Sequence, residues 1–204
     1  MIEVERDGRI WTLRLARAEK ANALTAAMLA ALAAAVAEAV RAEVAVLVLT
    51  GAGAVFSAGA DLGEMRTGLG VNPLWERASG AIAGFAGLTV AALNGTLAGG
   101  AMGLALACDL RIAVPGAEFF YPVMRLGYLP QPSDPGRLAA LVGPARARMI
   151  LLAGARIGAE EALAWGLIDR IVPAEGLIEA ARGLAADALA AKPGHLAAVK
   201  RMLG

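Results

Sequence analysis

The stretch VAVLVLTGAGAVFSAGADL, residues 44–62, decides the fold. Val44 to Thr50 form an apolar run rich in β-branched residues, the pattern of a strand buried on both faces. Gly51-Ala-Gly-Ala54 then turns the chain into Val55-Phe-Ser-Ala-Gly-Ala-Asp61, a second glycine-bearing turn that can open a helix. A strand buried on both faces needs layers above and below it, which points to helices packed over a parallel sheet.

The pattern recurs downstream. Leu88 to Leu93 reads as another buried strand, Gly99 to Ala107 as a buried helix, and Leu110 to Val114 as a third strand. Upstream, Ile2 to Glu5 and Arg9 to Leu15 read as two short strands joined at Asp7-Gly8, a hairpin dipeptide. Thr25 is a plausible N-cap for a helix running to about Arg41. Strands alternating with helices predict right-handed crossovers and a mostly parallel sheet, hence the α/β class. After about Pro130 the texture becomes helical, apart from Ile168 to Val172. This predicts an α/β core over 1–130 and a helical C-terminal region over 131–204, with no flexible linker between them.

Composition narrows the function classes. With 58% hydrophobic and 18% charged residues, the chain as a whole cannot be disordered. A net charge of +1 lacks the clustered basic excess of a nucleic-acid surface. The single cysteine, Cys108, excludes an internal disulfide and fits a reducing cytosol, so a cytoplasmic location is expected. The sequence opens without a basic region followed by an apolar stretch, so no leader is expected. Ser79 to Cys108 carries no charge, but its glycines and the Asn94-Gly95 turn break it into elements too short for a membrane span.

Two glycine-rich turns follow strands: residues 56–62 (FSAGADL) and 94–103 (NGTLAGGAMG). A helix start presents free N–H groups and the positive end of the helix dipole. Two such starts facing one point would make a two-donor pocket for a developing oxyanion. Glycine turns after strands equally serve tight packing, and spacing alone leaves both readings open. Neither turn is a phosphate loop, since no Gly-Lys-Ser/Thr follows and no G-x-G-x-x-G is present. One histidine, His195, leaves no histidine pair for a metal, and none is expected.

The wording of these turns resembles the crotonase (enoyl-CoA hydratase/isomerase) family. Residues 56–62 and 94–113 (NGTLAGGAMGLALACDLRIA) resemble its two central signatures. Residues 17–24 (RAEKANAL) resemble its early motif, with Ala18 where proline is common, and 154–173 its late motif. The four stretches stand in family order across most of the chain. The resemblance implies a spiral of ββα units with a C-terminal helical region, and acyl-CoA as the substrate. It implies oxyanion-hole donors at the backbone N–H of Ala58 and of Gly100. It implies contacts to coenzyme A from Lys20, Ala21, Ala58, Gly59, Ala60, Asp61 and Leu62. No separate cofactor is implied, because coenzyme A is part of the substrate. A homotrimer or a hexamer is implied as the assembly. The apolar helices over 144–191 carry more hydrophobic surface than a thin appendage buries, which agrees with subunit contacts.

The sequence departs from the family at its acids. Hydratases of the family use two glutamates, whose places fall on Gly103 and Val123. A later acid slot, used by some isomerases and dehalogenases, falls near Gln131, which cannot titrate. Asp134 is the one acid close by, and before Pro135 it reads first as part of a helix start, with Ser133 or Asp134 as the cap, and second as a catalytic group. Glu64 reads as solvent-facing, Tyr121 and Tyr128 as packing groups, His195 as helix-start surface and Cys108 as an inert core thiol. Most family members continue past the helix matching 192–203, and the stretch between Met65 and Gly84 that walls their acyl pocket is shorter here. The shorter wall implies a more open pocket, or one completed by a partner. The expected activity is acyl-CoA enolate chemistry of an isomerase type. The rivals are an acyl-CoA-binding homologue of little activity, and a hydratase with an unusual acid/base.

Overall fold

The computed structural model describes residues 1–192 and 194–203. The chain opens with a hairpin, β1 (Ile2–Asp7) and β2 (Ile10–Leu15), paired antiparallel with Ile2 opposite Leu15. Helix α1 (Ala26–Arg41) follows, and the Thr25 hydroxyl accepts from the N–H of Met28 at 3.2 Å, as its sequence position predicts. Three ββα units then succeed one another. The first is β3 (Val46–Gly51), β4 (Val55–Ser57) and the helices α2 (Leu62–Met65) and α3 (Leu74–Ala83). The second is β5 (Leu88–Leu93), β6 (Thr96–Ala98) and α4 (Met102–Leu106), which a 3-10 turn over Gly99–Ala101 opens. The third is β7 (Leu110–Ala113), β8 (Glu118–Phe120) and the helices α5 (Val123–Leu126) and α6 (Asp134–Leu151).

Each unit gives its first strand to one sheet and its second strand to another. The larger sheet runs β1-β2-β3-β5-β7 and the smaller β4-β6-β8, parallel from coil to coil, so the chain winds as a spiral. All six residues of β3 are buried, the reason its sequence shows no alternation. The Asn94 side chain ties successive coils: its Oδ1 accepts from Gly51 N at 2.9 Å and its Nδ2 donates to Gly53 O at 2.7 Å.

The C-terminal region is less separate than its helical texture suggests. Its short strands β9 (Ile157–Gly158) and β10 (Arg170–Ile171), either side of α7 (Ala159–Trp165), extend the smaller and larger sheets respectively. Arg111, only 4% exposed, donates to the carbonyls of Cys108 and Leu167 and pairs with Asp169, joining the 94–113 and 154–173 motifs. The final helices are α8 (Leu177–Leu184), α9 (Ala186–Ala190) and α10 (His195–Met202). From α10, Lys200 reaches the Asp109 carboxylate at 2.7 Å, and Asp109 also accepts from Thr89. Among the described residues, no helix is long and apolar enough to cross a membrane.

Candidate functional site

Both glycine turns leave the smaller sheet side by side, because β4 and β6 are paired parallel. Gly59 (φ +96°) and Gly99 (φ +55°) adopt a backbone that side chains disfavour, and a Cβ built at Gly99 would stand 3.7 Å from the Cα of Gly59. The turns open onto an open-sided cavity of about 320 Å³, lined by Ala58, Ala60, Gly99 and Gly100 on this side. Tyr121, Val123, Tyr128 and Gln131 contribute from the third unit, and Leu62, Met65 and Trp75 from the first.

The amides of the first turn have distinct fates. Ala58 N donates to Ala21 O at 2.9 Å, Gly59 N to the Ser57 hydroxyl at 3.2 Å, and Asp61 N to Leu24 O at 2.8 Å. Of the amides at 58–61, only Ala60 N has no acceptor among the described residues. Leu24 bridges Ala60 in parallel, receiving from Asp61 N and donating to Gly59 O, so the peptide groups of Ala60 itself point to the other side. The expectation of a donor at Ala58 is therefore corrected: that N–H is held by the early loop, and the free one lies two residues on. In the second turn, Ala98 precedes the helical stretch without a side-chain cap, and Gly99 and Gly100 border the cavity. The Trp75 indole packs against Gly100, three of its ring carbons 3.0–3.3 Å from where a Cβ would stand, and its Nε1 donates to Leu69 O.

The residues expected to touch coenzyme A divide. Ala58, Ala60 and Leu62 line the cavity, whereas Lys20 is exposed on a 3-10 turn (Ala18–Lys20) and Ala21 presents its carbonyl to Ala58. Asp61 is held in structure: it caps α2 through Gly63 N and Glu64 N, and its other oxygen pairs with Arg17 at 2.7 Å. The Arg17 hydrogen bond, followed by the Glu64 N–H, holds its carboxyl below the usual range. Glu64 is corrected from solvent-facing to structural, because its Oε2 accepts from Ala26 N at 2.7 Å at the start of α1. His195 is exposed at the start of α10 and does not line the cavity. Burial pushes the Cys108 thiol up to about 12, as an inert core thiol requires.

Val123 and Gln131 stand on the cavity wall, and Gln131 donates to Gly70 O at 2.9 Å. Gly103 does not face the cavity freely. A Cβ there would fall against the Asp134 carboxyl, with Cγ and Oδ2 2.9 Å away. The capping expectation for Asp134 is also corrected, since the start of α6 has no side-chain cap bond. Instead Asp134 is 1% exposed, its Oδ2 accepts from the Tyr121 hydroxyl at 2.9 Å, and its Oδ1 is buried without a partner. Sequence reading missed this pair because Tyr121 and Asp134 meet only across the α5 turn. The one available signal was an acid just before a proline at a helix start, which also fits capping.

Burial raises the Asp134 carboxyl to about 6; Tyr121 and Arg137 oppose the rise and Glu76 adds to it. A carboxyl that binds its proton more tightly in the fold than in the unfolded chain stabilises the fold at low pH. That contribution is complete below about pH 4 and is lost as the pH rises through about 6, amounting to roughly 3 kcal/mol. Ionised Asp134 is thus a strained group at neutral pH. Burial pushes the Tyr121 phenol well above its ordinary value, so it stays protonated.

The family model for enoyl-CoA hydratase/isomerase matches residues 5–204. The chain belongs to the enoyl-CoA hydratase/isomerase family. Within this crotonase superfamily, a carnitinyl-CoA dehydratase of Citrobacter koseri is 36% identical over 170 residues, covering 78% of this chain and 63% of the relative. A 4-chlorobenzoyl coenzyme A dehalogenase of an Arthrobacter species is 35% identical over 205 residues, covering 96% of this chain and 74% of the relative. The crystal structure of an enoyl-CoA hydratase from Bacillus anthracis superposes with a TM-score of 0.91 at 31% identity, covering 99% of this chain and 81% of that one. The chain thus spans less than two thirds of the dehydratase's length, and its spiral is that of the family.

Proposed function

We infer that this protein binds an acyl-CoA thioester and stabilises the enolate of its acyl group between the N–H groups of Ala60 and Gly100. One observation carries the reading. Of the amides at 58–61, only that of Ala60 is unpaired, and it borders the cavity beside the uncapped helical start at Gly99–Gly100. Enolate formation concentrates charge on one oxygen, and two fixed donors stabilise it better than mobile water. Coenzyme A itself would run over the exposed loop at Lys20 and Ala21 and the turn at 58–62. Double-bond isomerisation is the favoured reaction, since one group takes a proton and returns it, with no water to activate. The rival, binding with little catalysis, is favoured by the missing carboxyl groups at Gly103, Val123 and Gln131.

Amide resonances test the donors directly, without a substitution that would also disturb packing against Trp75. On titration with butyryl-CoA, the Ala60 and Gly100 N–H signals should shift saturably and more than with free coenzyme A, which lacks the carbonyl. The Ala58 signal should follow only weakly. A dominant response at Ala58, or none at Ala60, would overturn the assignment.

Assembly into three or six copies is part of the same reading. Leu62, Val71, Leu126 and Leu129 are large apolar side chains exposed by 51–87%, and three of them line the cavity. Exposed apolar surface of this kind is normally covered. Light scattering at micromolar concentration should report a trimer or hexamer, and a monomer there refutes the expectation.

A further inference from the structure

The cavity borders the unpaired Ala60 amide and the uncapped helical start at Gly99–Gly100, but among the described residues no carboxylate or histidine stands on its wall. The side chains there that carry a dissociable proton are Arg66, Tyr121 and Tyr128. A guanidinium has donors and no acceptor, and Tyr128 is 42% exposed with no hydrogen-bonded partner for its hydroxyl among the described residues. Tyr121 differs. It is 4% exposed, and its hydroxyl donates to the buried Asp134 carboxylate at 2.9 Å. The carboxylate fits there because Gly103 leaves the space beside it empty: any side chain at 103 would take its place. The second oxygen, Oδ1, accepts nothing and is buried. A carboxylate recruited only to satisfy a tyrosine would not be left half-satisfied, since an asparagine or a backbone carbonyl would serve without the cost of a buried charge.

We propose that Tyr121 and Asp134 form a two-residue proton relay that serves as the acid/base of the enolate chemistry, Tyr121 meeting the acyl chain and Asp134 holding the proton behind it. The proposal rests on the acyl-CoA reading above. In the forward step the C–H bond at the acyl α- or γ-carbon breaks and its proton goes to the Tyr121 oxygen. The original Tyr121 O–H proton moves to Asp134 Oδ2 in the same step. The C–H electron pair becomes the enolate, and its charge rests on the thioester oxygen between Ala60 N and Gly100 N. Return runs in reverse: Asp134 protonates Tyr121 while Tyr121 protonates carbon. If the proton is delivered to a different carbon the double bond shifts; if the relay first trades its proton for one from solvent and then delivers it to the same carbon, the hydrogen exchanges. No tyrosinate forms, in keeping with a phenol that burial keeps protonated. The groups facing Asp134 are Tyr121, Glu76 from α3 and Arg137 from its own helix, with Gly103 of α4 offering no side chain. Glu76 is itself occupied by Ser133, accepting from its N–H and hydroxyl.

The test is α-hydrogen exchange of butyryl-CoA in D2O, followed by proton NMR, with the dissociation constant of butyryl-CoA measured in parallel. The wild-type protein should exchange, with a rate at low substrate that rises with pH as Asp134 loses its proton near pH 6. Tyr121→Phe and Asp134→Asn, both near-isosteric, should each lower exchange by ~10²-fold or more while leaving the affinity unchanged. Asp134→Asn should also erase the pH dependence and raise the melting temperature at pH 8, where it removes a buried charge. A structural role alone would lower stability and leave exchange per folded molecule intact. Both variants exchanging at the wild-type rate overturns the relay. A wild-type protein that binds butyryl-CoA without exchange also overturns it, leaving the binding reading standing. A wild-type protein that does not bind butyryl-CoA overturns the acyl-CoA reading, and the relay with it.

Discussion

Gly103→Ala should destabilise the protein by about 1–3 kcal/mol, although alanine is the better helix former by about 1 kcal/mol in an open setting. Position 103 is buried in α4, and the added methyl would lie within 2.9 Å of both Cγ and Oδ2 of Asp134. Either α6 shifts or the carboxyl rotates off Tyr121, and both break a packed contact. For a chain of this size the melting temperature should fall by roughly 3–10 °C. Gly103→Glu should be worse, because its side chain must displace Asp134 altogether. Combining Gly103→Ala with Asp134→Gly should recover much of the loss, giving a coupling of about 0.5–3 kcal/mol. Thermal melts of the two single variants and the double variant read this out. A wild-type melting temperature for Gly103→Ala would mean that the carboxyl is not where the structure puts it. Restoring the hydratase glutamate at 103 is therefore no simple gain of function, since its space is already taken by another acid.

The large elements were legible because their signals are local. Val44 to Thr50 announce a buried strand by composition alone, and Thr25 announces α1 by its hydroxyl one residue ahead of the helix. The second strand of each ββα unit was not legible. β4, β6 and β8 are three residues each, too short for a periodicity to register, and only the glycine turns after the first two marked their place. The break within α6 was legible, since Pro144 reads as a helix start, and Gly143, at φ +80°, divides the run just before it.

At the site, motif wording located the first turn but not the direction of its amides. Gly59 has φ +96°, which breaks the usual alternation of peptide groups and leaves Ala60 rather than Ala58 with the free N–H. Composition carries no trace of that reversal. The Tyr121–Asp134 contact was hidden for a related reason. A packing aromatic and a helix-start acid are each locally sufficient explanations, and only the empty space at Gly103, some thirty residues earlier in the chain, brings the two together.

Crotonyl-CoA hydration should run about 10²–10⁴-fold below that of a relative with carboxylates at both places, the contribution of one positioned acid or base. Water addition needs two proton transfers at once, one removing a proton from water and one delivering a proton to carbon. The relay at Tyr121 can supply one of them. The other would have to come from the wall at Val123 or Gln131, where a valine 4% exposed and an amide bonded to Gly70 stand. Neither exchanges a proton. Isomerisation does not suffer in this way, because a single group first removes a proton and then delivers one, and this asymmetry separates the two reactions in one protein. Val123→Glu should therefore raise hydration more than isomerisation, provided that the variant keeps its fold by circular dichroism. Asp134→Asn should depress both, since both draw on the one relay. Robust hydration by the unmodified protein would show that a further acid reaches the cavity, and hydration indifferent to Asp134→Asn would place that acid somewhere other than behind Tyr121.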